Sequence, residues 1–194
     1  MYSLILDTTY KKLLVALANE DGVFDKIEYD AWQQQSEYTI QEIENILKNN
    51  NISPKDINEI LVTNGPGSYT GVRIALTIAK IYCLALNIPC YVFSSLEVLQ
   101  EENKTSICLI NARSNRSYIG VYNNKDIILP DQVMKNEDVI KYMEKHKDFA
   151  ICGELSYLGL NDNYQDLAKN MVRLKDDKYK ISDILKLKAV YLKD

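Results

Sequence analysis

Histidine is nearly absent from this sequence, which has one, His146, among 194 residues. It follows a lysine-rich helical pattern, where a solvated surface position is expected. The chain has no His-x-x-x-His pair and no cysteine and histidine cluster, the ligand sets that hold zinc or iron in most proteins. A metallopeptidase would therefore lack its ligands, and a Ser-His-Asp hydrolase would depend on this single residue. The sequence predicts no metal site.

The cysteines also lack the C-x-x-C spacing of a redox or metal motif. They lie in apolar strand-like or helical runs, which is typical of buried free thiols in a reducing cytosol. The N-terminal segment has no basic stretch followed by a long apolar run, so no signal peptide is expected. No apolar run reaches the length needed to cross a bilayer. We expect a cytoplasmic protein without a membrane segment. The four cysteines are Cys83, Cys90, Cys108 and Cys152.

Positive charge is not in excess, since the chain has 23 lysine and arginine residues and 27 aspartate and glutamate residues, for a net charge of −4. This balance disfavours a general electrostatic attraction to nucleic acid. The hydrophobic share of 46% is ordinary for a soluble globular protein. A chain of this length forms one large or two small domains with a substantial core.

The most informative stretch is Asn64–Leu86. The apolar run before it, Glu59–Thr63, predicts a buried strand. Gly65-Pro66-Gly67 then ends the strand, because proline has no N–H and glycine accepts positive φ. Ser68 or Thr70 caps the helix that follows. A strand, a glycine turn and a helix in this order present backbone N–H groups to an anion.

The predicted helix, Thr70–Leu86, is unusually apolar. Its polar strip consists of Arg73, Thr77 and Lys80. The remaining apolar arc covers roughly 220°, about twice what a helix lying on one sheet needs. Either its own domain buries it on two sides, or a second protein covers the surplus. Ala75 and Ala79 favour the second alternative, because small residues let two helices approach closely.

The first half of the chain predicts a mixed sheet with helices on both faces, in the order β-β-β-α-β-α-β-α. Three strands joined by short links should form an antiparallel meander. Ser36-Glu37 is a plausible cap for the first helix. The predicted strands are Tyr2–Asp7, Leu13–Ala18, Val23–Tyr29, Glu59–Thr63 and Cys90–Phe93, and the helices are Ser36–Lys48, Thr70–Leu86 and a short one that ends at Leu99.

From Lys104 the pattern repeats more weakly and is truncated. We place the boundary within Gln100–Thr105 and predict two domains, 1–102 and 103–194. The predicted strands are Ile107–Ile110, Ser117–Tyr122, Ile127–Leu129 and Phe149–Cys152. The predicted helices are one capped by Asn136 with Val139, Ile140 and Met143 inward, one around Asp166–Met171, and one over Ser182–Val190.

Polar residues near the two turns form a candidate phosphate site. Asp7 ends the first predicted strand and is suited to hold a metal-bound phosphate, with Thr8, Thr9 and nearby N–H groups contacting the phosphate oxygens. Capping of a hairpin turn by Asp7 is the simpler interpretation and is favoured. The glycine turn lacks the Lys-Ser/Thr of a P-loop. The segment Asn111–Ser117, with two arginines, is better explained as a solvated loop than as an anion site. The candidate phosphate-binding residues, possible only in vestigial form, are Asp7, Thr8, Thr9, Gly65, Gly67 and Ser68.

Segments in order along the whole chain resemble the TsaB (YeaZ) family. The glycine segment is the most specific of them. Two positions depart from the family pattern: Gln35 replaces the usual His, and Asn111 replaces a common Asp, which weakens independent nucleotide or metal chemistry there. The matching segments are Ile5-Leu6-Asp7-Thr8-Thr9, Gln35-Ser36-Glu37, Asn64-Gly65-Pro66-Gly67-Ser68-Tyr69-Thr70-Gly71-Val72-Arg73, Ser94-Ser95-Leu96, Asn111-Ala112-Arg113 and Tyr191-Leu192-Lys193.

The resemblance implies an α/β fold of two ribonuclease-H-like halves, as in the actin, hexokinase and chaperone ATPase superfamily, with a shortened second half. It also implies a non-catalytic subunit without a cofactor. Such a subunit binds TsaD, the transferase that forms threonylcarbamoyladenosine on tRNA beside the anticodon, and TsaE, an ATPase, joins the assembly. A homodimer is expected when the protein is alone, with tRNA contact at most indirect. Docking through the first two helices would use Ile40, Ile43, Leu47, Thr70, Arg73, Ile74, Ala75, Ile78, Ala79 and Tyr82.

The alternative is an enzyme, a small ATP-binding kinase-like protein or ATPase of the same superfamily. The candidate phosphate site motivates it. The shortened second half and the absence of a recognisable adenosine-binding glycine motif near the end stand against it.

Overall fold

Five strands of the first half form one mixed sheet in the computed structural model, which describes residues 1–31 and 33–192. The first three strands form an antiparallel meander, and the last two extend it in parallel. Lys193 of the terminal match lies outside the described residues, as do Trp32 and Asp194. The strands are β1 (Tyr2–Asp7), β2 (Lys12–Asn19), β3 (Gly22–Asp30), β4 (Ile57–Thr63) and β5 (Cys90–Phe93), in the order β3-β2-β1-β4-β5.

Two helices cover one face of this sheet: α1 (Gln35–Asn49) and α2 (Tyr69–Leu86). Successive strand residues face opposite sides of a sheet. Leu4 and Leu6 of β1 accordingly pack in the core beneath the helices, whereas Ile5 packs in a second core on the other face. The sheet is therefore covered on both sides, which explains why β1, β2 and β4 are buried along almost their whole length, whereas the edge strand β3 is not.

The second half repeats this connectivity on a smaller scale. Its four strands form a separate sheet in which three antiparallel strands are followed by one parallel strand. The described residues add no fifth strand to it, so the prediction of an α/β fold with a shortened second half is confirmed. The strands are β6 (Ser106–Arg113), β7 (Arg116–Asn123), β8 (Asp126–Lys135) and β9 (Ala150–Gly153), in the order β8-β7-β6-β9, and the helices are α3 (Asn136–Lys145) and α4 (Leu167–Leu174).

The two halves share a core. Phe93 and Leu96 from the first half pack in one cluster with Ile110 and Met171 from the second. At the surface, Asp166 accepts a hydrogen bond from Lys26 Nζ at 2.9 Å. The sheets lie on either side of the predicted boundary, but α4 returns to the first half. The division into domains 1–102 and 103–194 stays a prediction.

The predicted helix over Ser182–Val190 is wrong. Residues 181–192, here called the tail, contain one short 3₁₀ turn, Ile184–Lys186, and are otherwise irregular. Outside that turn the tail bonds to other elements: Ile181 N–H donates to Cys90 O at 2.9 Å, and Val190 N–H donates to Asn64 O at 2.7 Å. Because Leu187 enters the core under α2, the apolar spacing reflects contact with the first half and not a helical face.

Three smaller predictions of the second half are also corrected. β8 continues beyond Leu129 through Pro130, which an edge strand tolerates because the missing N–H needs no partner strand. The segment Asn111–Ser117 is not a loop but the ends of β6 and β7 with a tight turn between them. In α3, Val139 is buried, but Ile140 is 42% exposed, and Asn136 is the first helical residue and not its cap.

The expectation that no apolar run is long enough to cross a bilayer is wrong for α2. Its 18 residues satisfy a test of length and composition for a membrane span. In this fold its inner face, with Val72, Ala75 and Ala79, is fully buried on the sheet, as in the core helix of a globular domain.

Candidate partner-binding face and inter-half cleft

The glycine turn lies directly against the turn between β1 and β2. A Cβ atom on Gly67 would overlap the carbonyl oxygen of Thr9, and one on Gly71 would overlap that of Thr8. Ser68 N–H donates to Thr9 O at 2.6 Å, and Thr8 Oγ1 donates to Gly71 O at 2.6 Å. Glycine at these positions therefore permits close approach of the chain's own backbone.

Asp7 is buried behind these turns with its carboxylate satisfied by neighbours. It accepts hydrogen bonds from the backbone N–H of Thr9 at 2.7 Å, from Thr9 Oγ1 at 2.9 Å and from Thr63 Oγ1 at 3.0 Å. Burial raises the pKa of the Asp7 carboxyl, and these hydrogen bonds oppose that shift. The geometry is that of a turn cap, and phosphate binding by Asp7 stays a prediction.

The tail closes the other side of the glycine turn. Gly65 has a φ of +103°, and a Cβ there would lie 2.7 Å from the carbonyl oxygen of Val190. Ser95 N–H donates to Gly65 O at 2.9 Å. The turn is thus held between three segments of the chain, and Gly65 does not line the cleft described next.

A cleft of about 240 Å³ lies between the two halves. Of the candidate phosphate-binding residues, Thr9, Gly67 and Ser68 line it, whereas Asp7 and Thr8 do not. Across it, Lys11 Nζ pairs with Glu154 Oε1 at 3.2 Å. An anion in this space would meet the Glu154 carboxylate, whose charge opposes it.

The cleft wall from the second half includes Asn111, at one of the two departures from the family pattern. Its backbone N–H donates to Glu154 Oε2 at 3.2 Å, and its side-chain oxygen accepts from Arg113 N–H at 2.9 Å. Asn111 therefore shapes the hairpin at this edge.

The helix caps predicted from the sequence are confirmed only in part. Ser68 caps α2, with its side chain accepting from Gly71 N–H at 3.3 Å. Ser36 does not cap α1, because the helix begins one residue earlier and Gln34 occupies the cap position.

The other family departure, Gln35, is buried and donates from Nε2 to Tyr10 O at 2.8 Å, which ties α1 to the chain leading into β2.

The small residues of α2 face inward. Ala75 and Ala79 are fully buried on the sheet, and Ile78 is 6% exposed. The expectation that the two alanines admit a second protein is therefore corrected: they let α2 lie close to its own sheet. Ile43 and Leu47 of α1 are equally buried in the first core.

The outward side of the helix pair is nevertheless apolar. Ile40 is 49% exposed, Ile81 60% and Leu84 55%, while Ile74 and Tyr82 are half-buried. Between the helices runs a groove of about 420 Å³, here called the apolar groove. It is lined by Ser36, Ile40, Tyr69, Thr70, Arg73, Ile74, Thr77 and Ile78.

An aromatic and cationic cluster forms the rim of this groove. The Arg73 guanidinium lies 3.8 Å from the centre of the Tyr69 ring, and its Nε donates to the Tyr191 hydroxyl at 2.9 Å. The two tyrosine rings stack at 5.1 Å. Sequence reasoning proposed Arg73 but missed the tyrosines. The terminal family match at Tyr191 was the available signal, but the contact requires the tail to return to α2.

The described residues contain no group of three or more histidine, cysteine or acidic side chains placed to hold a metal ion. All four cysteines are free and buried.

Comparison with known proteins identifies relatives of this chain. The family model of TsaD, tRNA N6-adenosine threonylcarbamoyltransferase, matches residues 29–182. The tRNA threonylcarbamoyladenosine biosynthesis protein TsaB of Bacillus subtilis is 34% identical over 144 residues, 72% of this chain and 62% of that protein. The match thus spans less than two thirds of that relative. The uncharacterized protein MG208 of Mycoplasma genitalium is 28% identical over 100% of this chain and 95% of its own length.

A solved structure supports the fold. YeaZ from Pseudomonas aeruginosa superposes with a TM-score of 0.82 at 20% identity, and the match covers 98% of this chain and 99% of that one. Both halves and their connectivity therefore correspond. The glycine turn, the two-sheet architecture and these matches agree, and the chain belongs to the TsaB/YeaZ family.

Proposed function

We propose that this chain is a non-catalytic subunit in the formation of threonylcarbamoyladenosine on tRNA beside the anticodon, and that it acts by binding a TsaD transferase through α1 and α2. The names of the curated relatives support the pathway. The observation that carries the docking is the exposed apolar side of the helix pair, where Ile40, Ile81 and Leu84 are each about half exposed or more. Large exposed apolar patches mark interaction sites.

The binding mechanism is interface free energy. A standard heterodimer buries about 1,600 Å² in total, which a helix pair meeting a second helix pair is able to supply. Without TsaD, the same apolar side favours a homodimer, so partner binding exchanges one copy of the chain for TsaD. TsaE joins this assembly through the complex. Contact with tRNA is indirect, consistent with the net charge of −4. The protein acts in the cytoplasm, where its proposed partners act.

The inner turns support a non-catalytic role. In a nucleotide-binding relative a glycine turn would approach a phosphate, but here it approaches the backbone of Thr8 and Thr9. The nearby cleft holds the Lys11–Glu154 ion pair. No cofactor is part of the proposal.

The first test is size-exclusion chromatography with light scattering, on the protein alone and mixed with TsaD of the same organism. A homodimer that gives way to a one-to-one heterodimer supports the proposal. Absence of a complex at micromolar concentrations contradicts it.

Substitution of exposed residues tests the docking face. We expect Ile40→Glu and Ile81→Glu to leave the fold intact and to weaken TsaD binding by at least about 2 kcal/mol, because each buries an unpaired charge in the complex. Substitution at Ala79 or Ile78 is unsuitable, since both lie in the core. Calorimetric titration measures the affinity.

The matched control is Ile127→Glu, on β8 of the second half, where the side chain is 58% exposed. It makes the same chemical change away from the helix pair and should bind as the wild type does. Equal affinities for all four proteins would show that the docking face lies elsewhere.

The alternative is an ATP-binding protein, which the inter-half cleft and its lining by Thr9, Ser68 and Arg113 favour. Titration calorimetry with ATP and Mg²⁺ decides this point. Absence of heat up to millimolar nucleotide would contradict the alternative, whereas saturable binding would overturn the cofactor-free proposal.

A further inference from the structure

A second groove, of about 500 Å³, lies between α2 and the tail and is here called the basic groove. Its charged side chains are Arg73, Lys80 and Lys188, and its floor is apolar, with Leu76 5% and Leu187 2% exposed. Among residues 1–31 and 33–192, no carboxylate lines it. The groove combines a cationic rim with a floor that accepts aliphatic stems.

The basic groove is continuous with the apolar groove. Arg73 and Thr77 line both of them. On a helical wheel these two residues fall between Lys80 on one side and Ile74 on the other. Any chain that covers the outward side of α2 therefore meets an apolar strip and a cationic strip in parallel.

The positive charge of this groove is local, and the part of the chain that the structure describes places no carboxylate in its lining. α2 contains no acidic residue, although the whole chain has a net charge of −4. The tail has one acidic residue within its described range, Asp183, whose Oδ2 lies 3.8 Å from Lys186 Nζ. Asp183 does not line the groove. Within residues 1–31 and 33–192, neither Lys80 nor Lys188 has an ion-pair partner. Cations held side by side without counter-charge are suited to an acidic partner.

We propose that the basic groove receives an acidic segment of the TsaD partner, whose carboxylates pair with Lys80 and Lys188 while its apolar side chains fill the apolar groove. This inference rests on the proposed function and adds the charge of the partner's docking segment to it. The lysines then contribute specificity and association rate, as charges at an interface rim do.

A protein segment fits this groove better than nucleic acid. Three cations neutralise at most about three phosphates, too few for firm binding of tRNA by an acidic protein at physiological salt. The apolar floor between the lysines matches the stems of glutamate and neighbouring aliphatic side chains.

The test compares two double variants with the same change in charge. Lys80→Glu/Lys188→Glu reverses the groove, and Lys55→Glu/Lys147→Glu reverses two exposed lysines elsewhere. Affinity for TsaD of the same organism is measured by biolayer interferometry at about 50 mM and about 300 mM salt. The Debye length is longer than about 10 Å at the lower concentration and shorter than that at the higher one. Circular dichroism checks that each variant is folded.

We expect the wild type and the control to bind alike and to weaken with salt. The groove variant should bind at least about tenfold more weakly at low salt and should gain affinity as salt rises, because its charges have become repulsive and salt screens that repulsion. Equal binding by all three proteins would overturn this inference and leave the proposed function standing. Absence of wild-type binding would overturn both.

Two other occupants give different results. If the groove variant keeps its affinity for TsaD but loses retention of tRNA in a filter assay, the groove is a nucleic-acid site and the inference is wrong. If only self-association changes, as seen by light scattering, a second copy of this chain occupies the groove and the inference is also wrong.

Discussion

Gly71 is a residue whose type is set by the neighbouring turn and not by its own helix. In a helix, alanine is favoured over glycine by about 1 kcal/mol. Here a Cβ would overlap the carbonyl oxygen of Thr8 and disturb the hydrogen bond from Thr8 Oγ1 to Gly71 O. The packing argument therefore opposes the propensity argument, and overlap with backbone outweighs it.

We expect Gly71→Ala to destabilise the fold by about 3 kcal/mol, since the β1–β2 turn must move to admit the methyl group. Urea unfolding followed by circular dichroism measures the change. The control is Gly159→Ala, where φ is +79° but nothing lies within 4 Å. It should cost only the conformational strain of about 1 kcal/mol. A more stable Gly71→Ala protein would refute the close packing of the two turns.

The sequence predicted this turn well and its environment poorly. Gly65-Pro66-Gly67 marked the end of β4, and Ser68 was correctly proposed as a cap. The local sequence did not indicate that the backbone of Thr8 and Thr9 lies opposite the glycines. An anion and a second backbone segment make the same demand for close approach, so the pattern alone could not separate them.

At the scale of elements, strands and helices with strong periodicity were found within one or two residues of their predicted ends, as for α1 and β4. The tail was mistaken for a helix. Its apolar residues have helical spacing, but the N–H groups of Ile181 and Val190 bond to Cys90 and Asn64, and only tertiary structure supplies those partners. The same return of the tail forms the Arg73–Tyr191 contact at the rim of the apolar groove.

The tail is an integral part of the first core. We expect Leu187→Ala to cost about 2–5 kcal/mol, because its side chain is 2% exposed and packs under α2. Thermal and urea unfolding measure this cost. Two residues earlier, Leu185 is 67% exposed, so Leu185→Ala should change stability by no more than about 0.5 kcal/mol. Equal effects of the two substitutions would mean that the tail is only loosely attached.

At the scale of the whole molecule, the two halves are joined by partly buried polar groups as well as by the shared core. Asp131 of β8 accepts hydrogen bonds from Ser94 of the first half and Tyr122 of β7. Burial raises the pKa of the Asp131 carboxyl, and the two hydroxyl groups oppose the shift. Burial also raises the pKa of nearby Glu97, which accepts from Tyr179.

These groups make the stability of the molecule depend on pH in a defined direction. The folded-state pKa of Asp131 lies above its ordinary value of 3.8, so the folded chain holds this proton more tightly than the unfolded chain. Its contribution to stability is therefore present at low pH and is lost as pH rises from about 4 through the folded-state pKa. Asp131→Asn should remove this loss, because the amide stays neutral and still accepts from one hydroxyl.

Urea unfolding of the wild type and the variant between about pH 4 and 7 measures the effect as the difference between their two profiles. Taking the difference removes the contributions of the other carboxyl groups. Exposed Asp126 on the same strand provides the control, Asp126→Asn. Parallel profiles for the wild type and Asp131→Asn would contradict the raised pKa.

The return of the tail also determines when the molecule becomes complete during its synthesis. α2 rests on a core that Leu187 completes, and the whole second sheet is translated between the two. At about 5–20 residues per second, the ribosome makes that interval several seconds long. A nascent chain therefore emerges with α2 already formed but its core unfinished, and the proposed partner meets a finished surface only after translation has passed the tail.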